Sequence, residues 1–124
     1  MAMSGKFDPK MLSALDLAFV GDGVYGLLVR EMLARDGSRP VGELHRMAVA
    51  YDRIAPLLTE QEQAVYRRGR NGGAHPPKNA DPGHYAKATG LEALFGYLYL
   101  NGAQERAREL FEAITANKEN AKQN

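Results

Sequence analysis

The sequence predicts an all-α fold, and three observations lead to that prediction. Apolar residues recur with the 3.6-residue period of a helix through most of the chain, and no alternating pattern of useful length predicts a strand. The breaks between periodic segments coincide with glycine, proline and capping residues. Apolar residues make up 44% and charged residues 25% of 124 residues, as in ordinary globular domains. We expect one domain over residues 1–124, with a core at about 11–116 and a polar, frayed tail at 117–124.

The segment Asp36-Gly37-Ser38 separates the first two helices. The first helix covers about residues 11–35, and its apolar positions are Leu12, Leu15, Phe19, Leu27, Leu28 and Met32. Pro40 fits the first turn of the second helix, because its missing N–H needs no partner there. The second helix ends or kinks at Pro56, and its apolar face comprises Leu44, Met47, Ala48 and Tyr51.

Capping signals delimit the three remaining helices. Thr59-Glu60-Gln61-Glu62 matches a capping box and predicts a helix that runs to about Arg68. Residues 69–80 contain three glycines, two prolines and two asparagines, so they are predicted to be irregular. Asp81-Pro82 then begins a helix that closes at Asn101-Gly102. The last helix spans about 103–115, with core positions Ala107, Leu110, Phe111 and Ile114.

Composition excludes several function classes. The chain has no cysteine, which excludes disulfides, thiolate metal sites and cysteine nucleophiles and favours a cytoplasmic location. No apolar run approaches the roughly 20 residues of a membrane span, and we expect no signal peptide because the first ten residues lack a hydrophobic centre. We therefore expect no membrane partner.

Two carboxylates stand in otherwise uncharged segments of the predicted helices, AFVGDGVYGLLV and ATGLEALFGYLYL. Asp22 lies between Gly21 and Gly23, and helical spacing places it beside the apolar face of the first helix. Glu92 is the only charged residue of ATGLEALFGYLYL. A buried carboxylate is costly unless it is paired or binds a metal, so two such groups beside small residues indicate a Mg²⁺ or Mn²⁺ site. The alternative is that each acid pairs with an arginine or caps a buried backbone group.

The basic charge is local although the formal net charge is only +1. Five basic residues and one acid occur between Arg67 and Lys87. Arginines followed by a glycine- and proline-rich loop are suited to phosphate contacts, although a solvated helix end that complements the helix dipole is the commoner case. The candidate RNA-binding residues are Arg67, Arg68, Arg70, Asn71, Lys78 and Asn79. Phosphate binding near a carboxylate metal site points to phosphodiester chemistry.

Several motifs, in order, resemble those of a known family. LDLAFVGDGVY resembles the signature helix of ribonuclease III catalytic domains, and TGLEALFGYLYL resembles their second motif. RRGRN, PKN and LHRMAVAY are similar to segments of the Mini-ribonuclease III family, which lacks a double-stranded-RNA-binding domain. The resemblance covers roughly residues 12–115. Ala18 and Thr89 stand where full ribonuclease III has two more acids, a reduction that the Mini-ribonuclease III family shares, and Gly26 and Gly73 depart from that family's usual residues.

The resemblance implies a ribonuclease III-like helical domain that forms a symmetric homodimer and cleaves double-stranded RNA. It implies an endoribonuclease that depends on Mg²⁺, with Mn²⁺ as a substitute, and that leaves 5′-phosphate products. Asp22 and Glu92 would be catalytic and would hold the metal. The implied task is maturation of the 23S ribosomal RNA precursor, with a ribosomal protein as a further candidate partner. The alternative is a catalytically weak or inactive helical dimer that binds structured RNA or a ribosomal partner. A purely structural helical protein is disfavoured by the basic loop.

Overall fold

The computed structural model describes residues 7–37, 43–72 and 75–123, and all the regular structure in these ranges is helical. This confirms the all-α prediction. Short 3₁₀ turns occur at Pro9–Met11 and Ala55–Leu57. The five helices are α1 (Ala14–Asp36), α2 (Glu43–Ile54), α3 (Glu60–Arg70), α4 (Pro82–Leu100) and α5 (Gln104–Gln123). Among the described residues, no helix has the length and hydropathy that crossing a membrane requires.

Helix α4 is the centre of the fold. It is apolar around nearly its whole circumference, and α1, α2 and α3 all pack against it. Its buried residues are Ala88, Thr89, Gly90, Leu91, Ala93, Leu94, Phe95, Gly96, Tyr97 and Leu98. Each surrounding helix contributes a fully buried side chain, among them Leu17, Ile54, Tyr66 and Leu110. A site on α4 is therefore held by several helices.

Glycines allow two helices to approach α4 with their backbones in contact. A Cβ atom at Gly21 of α1 would overlap the carbonyl oxygen of Glu92 and lie 2.9 Å from the amide nitrogen of Gly96. A Cβ atom at Gly69 of α3 would lie 2.9 Å from the Cα atom of Gly90. Any larger residue at Gly21 or Gly69 would push the helices apart. Glycine in the middle of a helix is unfavourable, but here it permits these two crossings.

The capping predictions are confirmed. Thr59 and Glu62 form the capping box, with the Thr59 Oγ1 atom accepting a hydrogen bond from the Glu62 amide and the Glu62 Oε1 atom accepting one from the Thr59 amide. The Asp81 Oδ1 atom accepts from the His84 amide at 3.0 Å and so begins α4. Gly102 has φ +77° where α4 ends, a left-handed conformation that glycine adopts without strain.

The structure corrects two predicted boundaries. Helix α3 continues to Arg70 rather than Arg68, because Gly69 packs in the α3–α4 crossing instead of starting the loop. Helix α5 continues to Gln123 rather than ending near residue 115, so it includes most of the segment predicted as a polar tail. Five of the seven residues 117–123 are lysine, glutamate, alanine or glutamine, which favour a helix. The predicted role of Pro40 lies outside the described residues.

An ion-pair cluster around the buried Glu62 fixes α5 to α3. Arg106 donates from Nε to the Glu62 Oε2 atom at 2.8 Å and from Nη2 to the Leu57 carbonyl oxygen at 2.8 Å, and it also pairs with Glu109. Only 7% of Glu62 is exposed. The hydrogen bond from Arg106 holds the pKa of Glu62 below its ordinary value of 4.5, against the opposing effect of burial. The charge of Glu62 is therefore stabilised in the folded state.

Candidate active site and basic surface

The two carboxylates lie at one crossing of helices. Gly21 of α1 touches the backbone of Glu92 in α4, and Asp22 is the next residue of α1. The α1–α4 crossing therefore brings Asp22 and Glu92 to the same level of the fold from two helices that are distant in sequence. The contact depends on Gly21, since a side chain at that position would separate the two backbones.

The expectation that Asp22 is buried is wrong for the single chain. Asp22 is exposed and Glu92 is half-buried. The face of α1 that meets α4 carries Leu17, Gly21 and Tyr25, and Asp22 lies about 100° around the helix from Gly21. Asp22 thus shares a face with apolar residues, as its spacing indicated, but that face points away from the core.

The hydroxyl of Thr89, at one of the two positions where the resemblance to ribonuclease III implies a missing acid, is engaged in a hydrogen bond within its own helix. The Thr89 Oγ1 atom donates to the Tyr85 carbonyl oxygen at 2.9 Å, within α4. Ala18, at the other such position, is buried and has no ligand atom. The described part of the chain holds no group of three or more side chains of the metal-ligating types. Two carboxylates still fit Mg²⁺, because this ion is usually held by one or two carboxylates while water and phosphate oxygens complete its shell.

The basic end of α3 packs on the same part of α4. Gly69 contacts Thr89, Gly90 and Ala93, which lie within one turn of Glu92. The end of α3 that carries the arginines therefore packs on the part of α4 that holds Glu92. Two helices that carry predicted site residues, α1 and α3, thus pack on neighbouring turns of α4.

The predicted RNA-binding residues differ in what holds them. Arg67 is exposed at the end of α3, and Lys78 and Asn79 are exposed in the loop before α4. Arg68 is also exposed, but its Nη2 atom donates to the Leu12 carbonyl oxygen at 2.8 Å, which fixes α3 to the segment before α1. Part of the Arg68 side chain therefore has a structural role.

Arg70 and Asn71 form a local pair. The Arg70 Nε atom donates to the Asn71 Oδ1 atom at 3.3 Å, and both residues are exposed. Lys87, a weaker candidate, lies 3.4 Å from the Asp52 carboxylate. Asp52 of α2 thus stands beside a basic residue of α4. The sequence did not indicate this contact because α2 and α4 are far apart in the chain. Gly73 lies outside the described residues.

Sequence patterns missed two further features. The residues Leu15, Phe19 and Leu27 of α1 are exposed rather than buried, with 82% of Phe19 accessible. Tyr66, a fully buried residue of α3, lies beneath the Arg70 guanidinium. The first feature had a signal, because α1 has more apolar positions than one face can bury. The contact between Tyr66 and Arg70 had only one signal in the sequence, the four-residue spacing between them.

Comparisons with known proteins agree with this arrangement. The family model of the ribonuclease III domain matches residues 15–103. The Mini-ribonuclease 3 of Symbiobacterium thermophilum is 47% identical over 117 residues, covering 86% of this chain and 90% of that protein. The Mini-ribonuclease 3 of Enterococcus faecalis is 40% identical over 116 residues, covering 83% of this chain and 88% of its own. A crystal structure of a Fusobacterium nucleatum protein shares the fold, with a TM-score of 0.72 and 23% identity over 85% of this chain and 93% of that one. The chain therefore belongs to the ribonuclease III domain family.

Proposed function

We propose that this ribonuclease III-type endoribonuclease cleaves double-stranded RNA in a reaction that depends on Mg²⁺. The observation that supports the proposal best is that α1 and α3, which carry predicted acidic and basic site residues, pack on neighbouring turns of α4. The Gly21 crossing supplies an acidic pair, and the Gly69 crossing supplies a basic helix end. An acidic metal site beside phosphate-binding cations is the minimum that hydrolysis of a phosphodiester requires.

Asp22 and Glu92 would hold the metal ion. When bound, Mg²⁺ supplies an activated water and stabilises charge on the scissile phosphate. Arg67, Arg70 and Lys78 bind neighbouring phosphates through charge-assisted hydrogen bonds, and Asn71 and Asn79 add neutral contacts. Arg68 contributes with the donors that Leu12 does not use. Contacts of this kind read the shape and the backbone of a duplex, so no base-reading side chain is needed.

We further propose that two copies of the chain form a symmetric dimer through α1. In α1, Leu15, Phe19 and Leu27 recur at intervals of four or eight residues and are 47%, 82% and 65% exposed, and Met11, in the 3₁₀ turn before α1, is 83% exposed. Large apolar patches are unusual on a monomer, and a two-fold axis allows one patch to cover its own copy. Asp22 shares this side of α1, so each of the two sites would lie next to the interface.

The cellular role is proposed from the relatives. The Mini-ribonuclease 3 proteins match most of this chain at 36–47% identity. By analogy we propose a single-domain enzyme that acts in the cytoplasm on the 23S ribosomal RNA precursor, leaves 5′-phosphate ends, accepts Mn²⁺ in place of Mg²⁺ and is assisted by a ribosomal protein.

A cleavage assay tests the activity. The full chain is incubated with a duplex RNA and with each of its single strands, with Mg²⁺, with Mn²⁺ and with a chelator. We expect the duplex alone to be cut, only with metal, and the new 5′ ends to carry phosphate. Binding of the duplex without any cut product would favour the alternative, a non-catalytic RNA-binding dimer, for which the hydrogen-bonded Thr89 at a usual acid position is the supporting observation.

A further inference from the structure

Arg70 is held more firmly than an ordinary exposed arginine. Its guanidinium carbon lies 5.8 Å from the centre of the Tyr66 ring, within the range of a cation–π interaction. Its Nε atom donates to the Asn71 Oδ1 atom at 3.3 Å. The two contacts join the Arg70 side chain to Tyr66, one turn earlier in α3, and to Asn71, the next residue, so together they restrict its position.

The ring beneath Arg70 is itself fixed. Tyr66 is fully buried and stacks on Tyr51 of α2, with ring centres 3.6 Å apart and an angle of 4° between the planes. The Tyr51 hydroxyl donates to the Gln63 Oε1 atom at 3.0 Å. A Cβ atom at Gly90 would lie only 2.7 Å from the Tyr66 Cε1 atom, so the missing side chain there makes room for the ring. Three helices therefore hold the surface on which Arg70 rests.

Tyr66 has a buried hydroxyl as well as a buried ring. The buried Tyr66 hydroxyl has no hydrogen-bond partner among the described residues. A buried hydroxyl without a partner is unfavourable, so the role proposed for Tyr66 depends on its ring and not on its hydroxyl. Burial and the neighbouring Tyr51 raise the pKa of Tyr66 to about 12, against the opposing effect of Arg70. The phenol thus stays neutral, and its electron-rich ring faces a permanent cation.

We propose that Tyr66 is a positioning residue for RNA binding, whose ring, together with the Asn71 amide oxygen, orients the Arg70 guanidinium toward a phosphate of the duplex. This inference rests on the proposed function, and it changes the part played by Asn71 from a phosphate ligand to a support for Arg70. An arginine that is already ordered loses less side-chain freedom on binding, so more of the energy of its phosphate contact appears as affinity.

A double-mutant cycle tests the coupling. Dissociation constants for a duplex RNA are measured without divalent metal, so that the duplex stays intact, for wild type, Tyr66→Leu, Asn71→Ala, Arg70→Ala and the two double variants with Arg70→Ala. Tyr66→Phe is the conservative variant, because it keeps the ring. Arg35→Ala is the matched control, since Arg35 is also an exposed arginine near a helix end but lies at the far end of α1. Urea unfolding of each variant reports stability separately.

We expect Tyr66→Leu to weaken binding about two- to fivefold, the range of an exposed cation–π contact. Tyr66→Phe restores the affinity, and neither Tyr66→Leu nor Asn71→Ala has a further effect once Arg70 is alanine. The inference would be overturned if Tyr66→Leu or Asn71→Ala weakened binding by the same factor in the Arg70→Ala background as in wild type. It would also be overturned if Arg70→Ala bound the duplex as tightly as wild type. If Tyr66→Leu does not fold, the cycle of Asn71→Ala with Arg70→Ala is judged by the same criterion, because Asn71 is exposed and its replacement leaves the core unchanged. Cleavage of the same duplex by wild type with Mg²⁺ is measured in parallel, and its absence would overturn the proposed function and not the coupling.

Discussion

Replacement of Gly21 by alanine probes the α1–α4 crossing directly. The new Cβ atom would overlap the Glu92 carbonyl oxygen and lie 2.5 Å from the carbonyl carbon and 2.9 Å from the Gly96 nitrogen. Ordinary van der Waals contacts begin near 3.4 Å, so the overlapping atoms must move apart by about 1.5–2 Å. All three contacted atoms belong to the backbone, so no side chain can rotate to make room.

The expected loss of stability follows from two opposing contributions. Overpacking in a well-packed core costs about 1–3 kcal/mol, and backbone atoms that cannot move aside place this site at the upper end. Alanine recovers about 0.5–1 kcal/mol of helix propensity relative to glycine. The net loss in the free energy of unfolding is therefore about 2 kcal/mol. Cleavage should also slow under conditions where the variant is still folded, because Glu92 is displaced relative to Asp22.

Urea unfolding followed by circular dichroism, at one protein concentration, measures the effect of Gly21→Ala. Gly23→Ala is the matched control within one chain, because Gly23 lies two residues further along α1 and a Cβ atom added there would meet nothing of the same chain within 4 Å. Gly23 also lies between Phe19 and Leu27 on the proposed dimer surface, so light scattering checks that both variants have the oligomeric state of wild type. We expect the control to be unchanged or stabilised by about 0.5–1 kcal/mol. Equal stability of the two variants would refute the close approach of α1 and α4.

Three further perturbations test other parts of the structure. Because Arg106 lowers the pKa of Glu62, the stability that this carboxylate contributes is present above its unfolded pKa of 4.5 and is lost as the pH falls through the lower folded value. The stability difference between wild type and Glu62→Gln in urea unfolding should therefore shrink on acidification, and a constant difference would be inconsistent with the ion pair. Phe19→Glu should convert the dimer to a monomer in light scattering, since it places a charge in the proposed apolar interface, and a monomeric wild type would exclude that interface. Neutralising Arg67 and Lys78 together should reduce the slope of log K for RNA binding against log salt concentration by somewhat under one per lost phosphate contact, with little change in folding. An unchanged slope would place the RNA elsewhere.

Local features of the fold could be predicted from the sequence. The Thr59 capping box, the Asp81 N-cap and the left-handed Gly102 depend on residues within a few positions of one another, and all three are confirmed. The ends of α3 and α5 could not be placed so well. The end of α3 depends on Gly69 packing against α4, and this contact joins segments about 20 residues apart.

The environment of the site depended on contacts that no local pattern encodes. Helical spacing placed Asp22 beside Phe19, but it could not show that this side of α1 faces away from the core. The apolar residues of α1 exceed what one buried face holds, and a count of residues cannot say which of two faces meets α4. The support of Arg70 by Tyr66 depends likewise on the stack with Tyr51, which comes from another helix.

Cleavage of duplex RNA by Asp22→Asn and Glu92→Gln is the most direct measurement of the proposed role of the α1–α4 crossing. Both substitutions keep the shape of the side chain and remove a charge that would hold the metal, so folding and duplex binding should be retained. We predict that each variant loses cleavage with Mg²⁺ while its affinity for the duplex without metal stays near that of wild type. Near-normal cleavage by Asp22→Asn would contradict the assignment of this crossing as the active site.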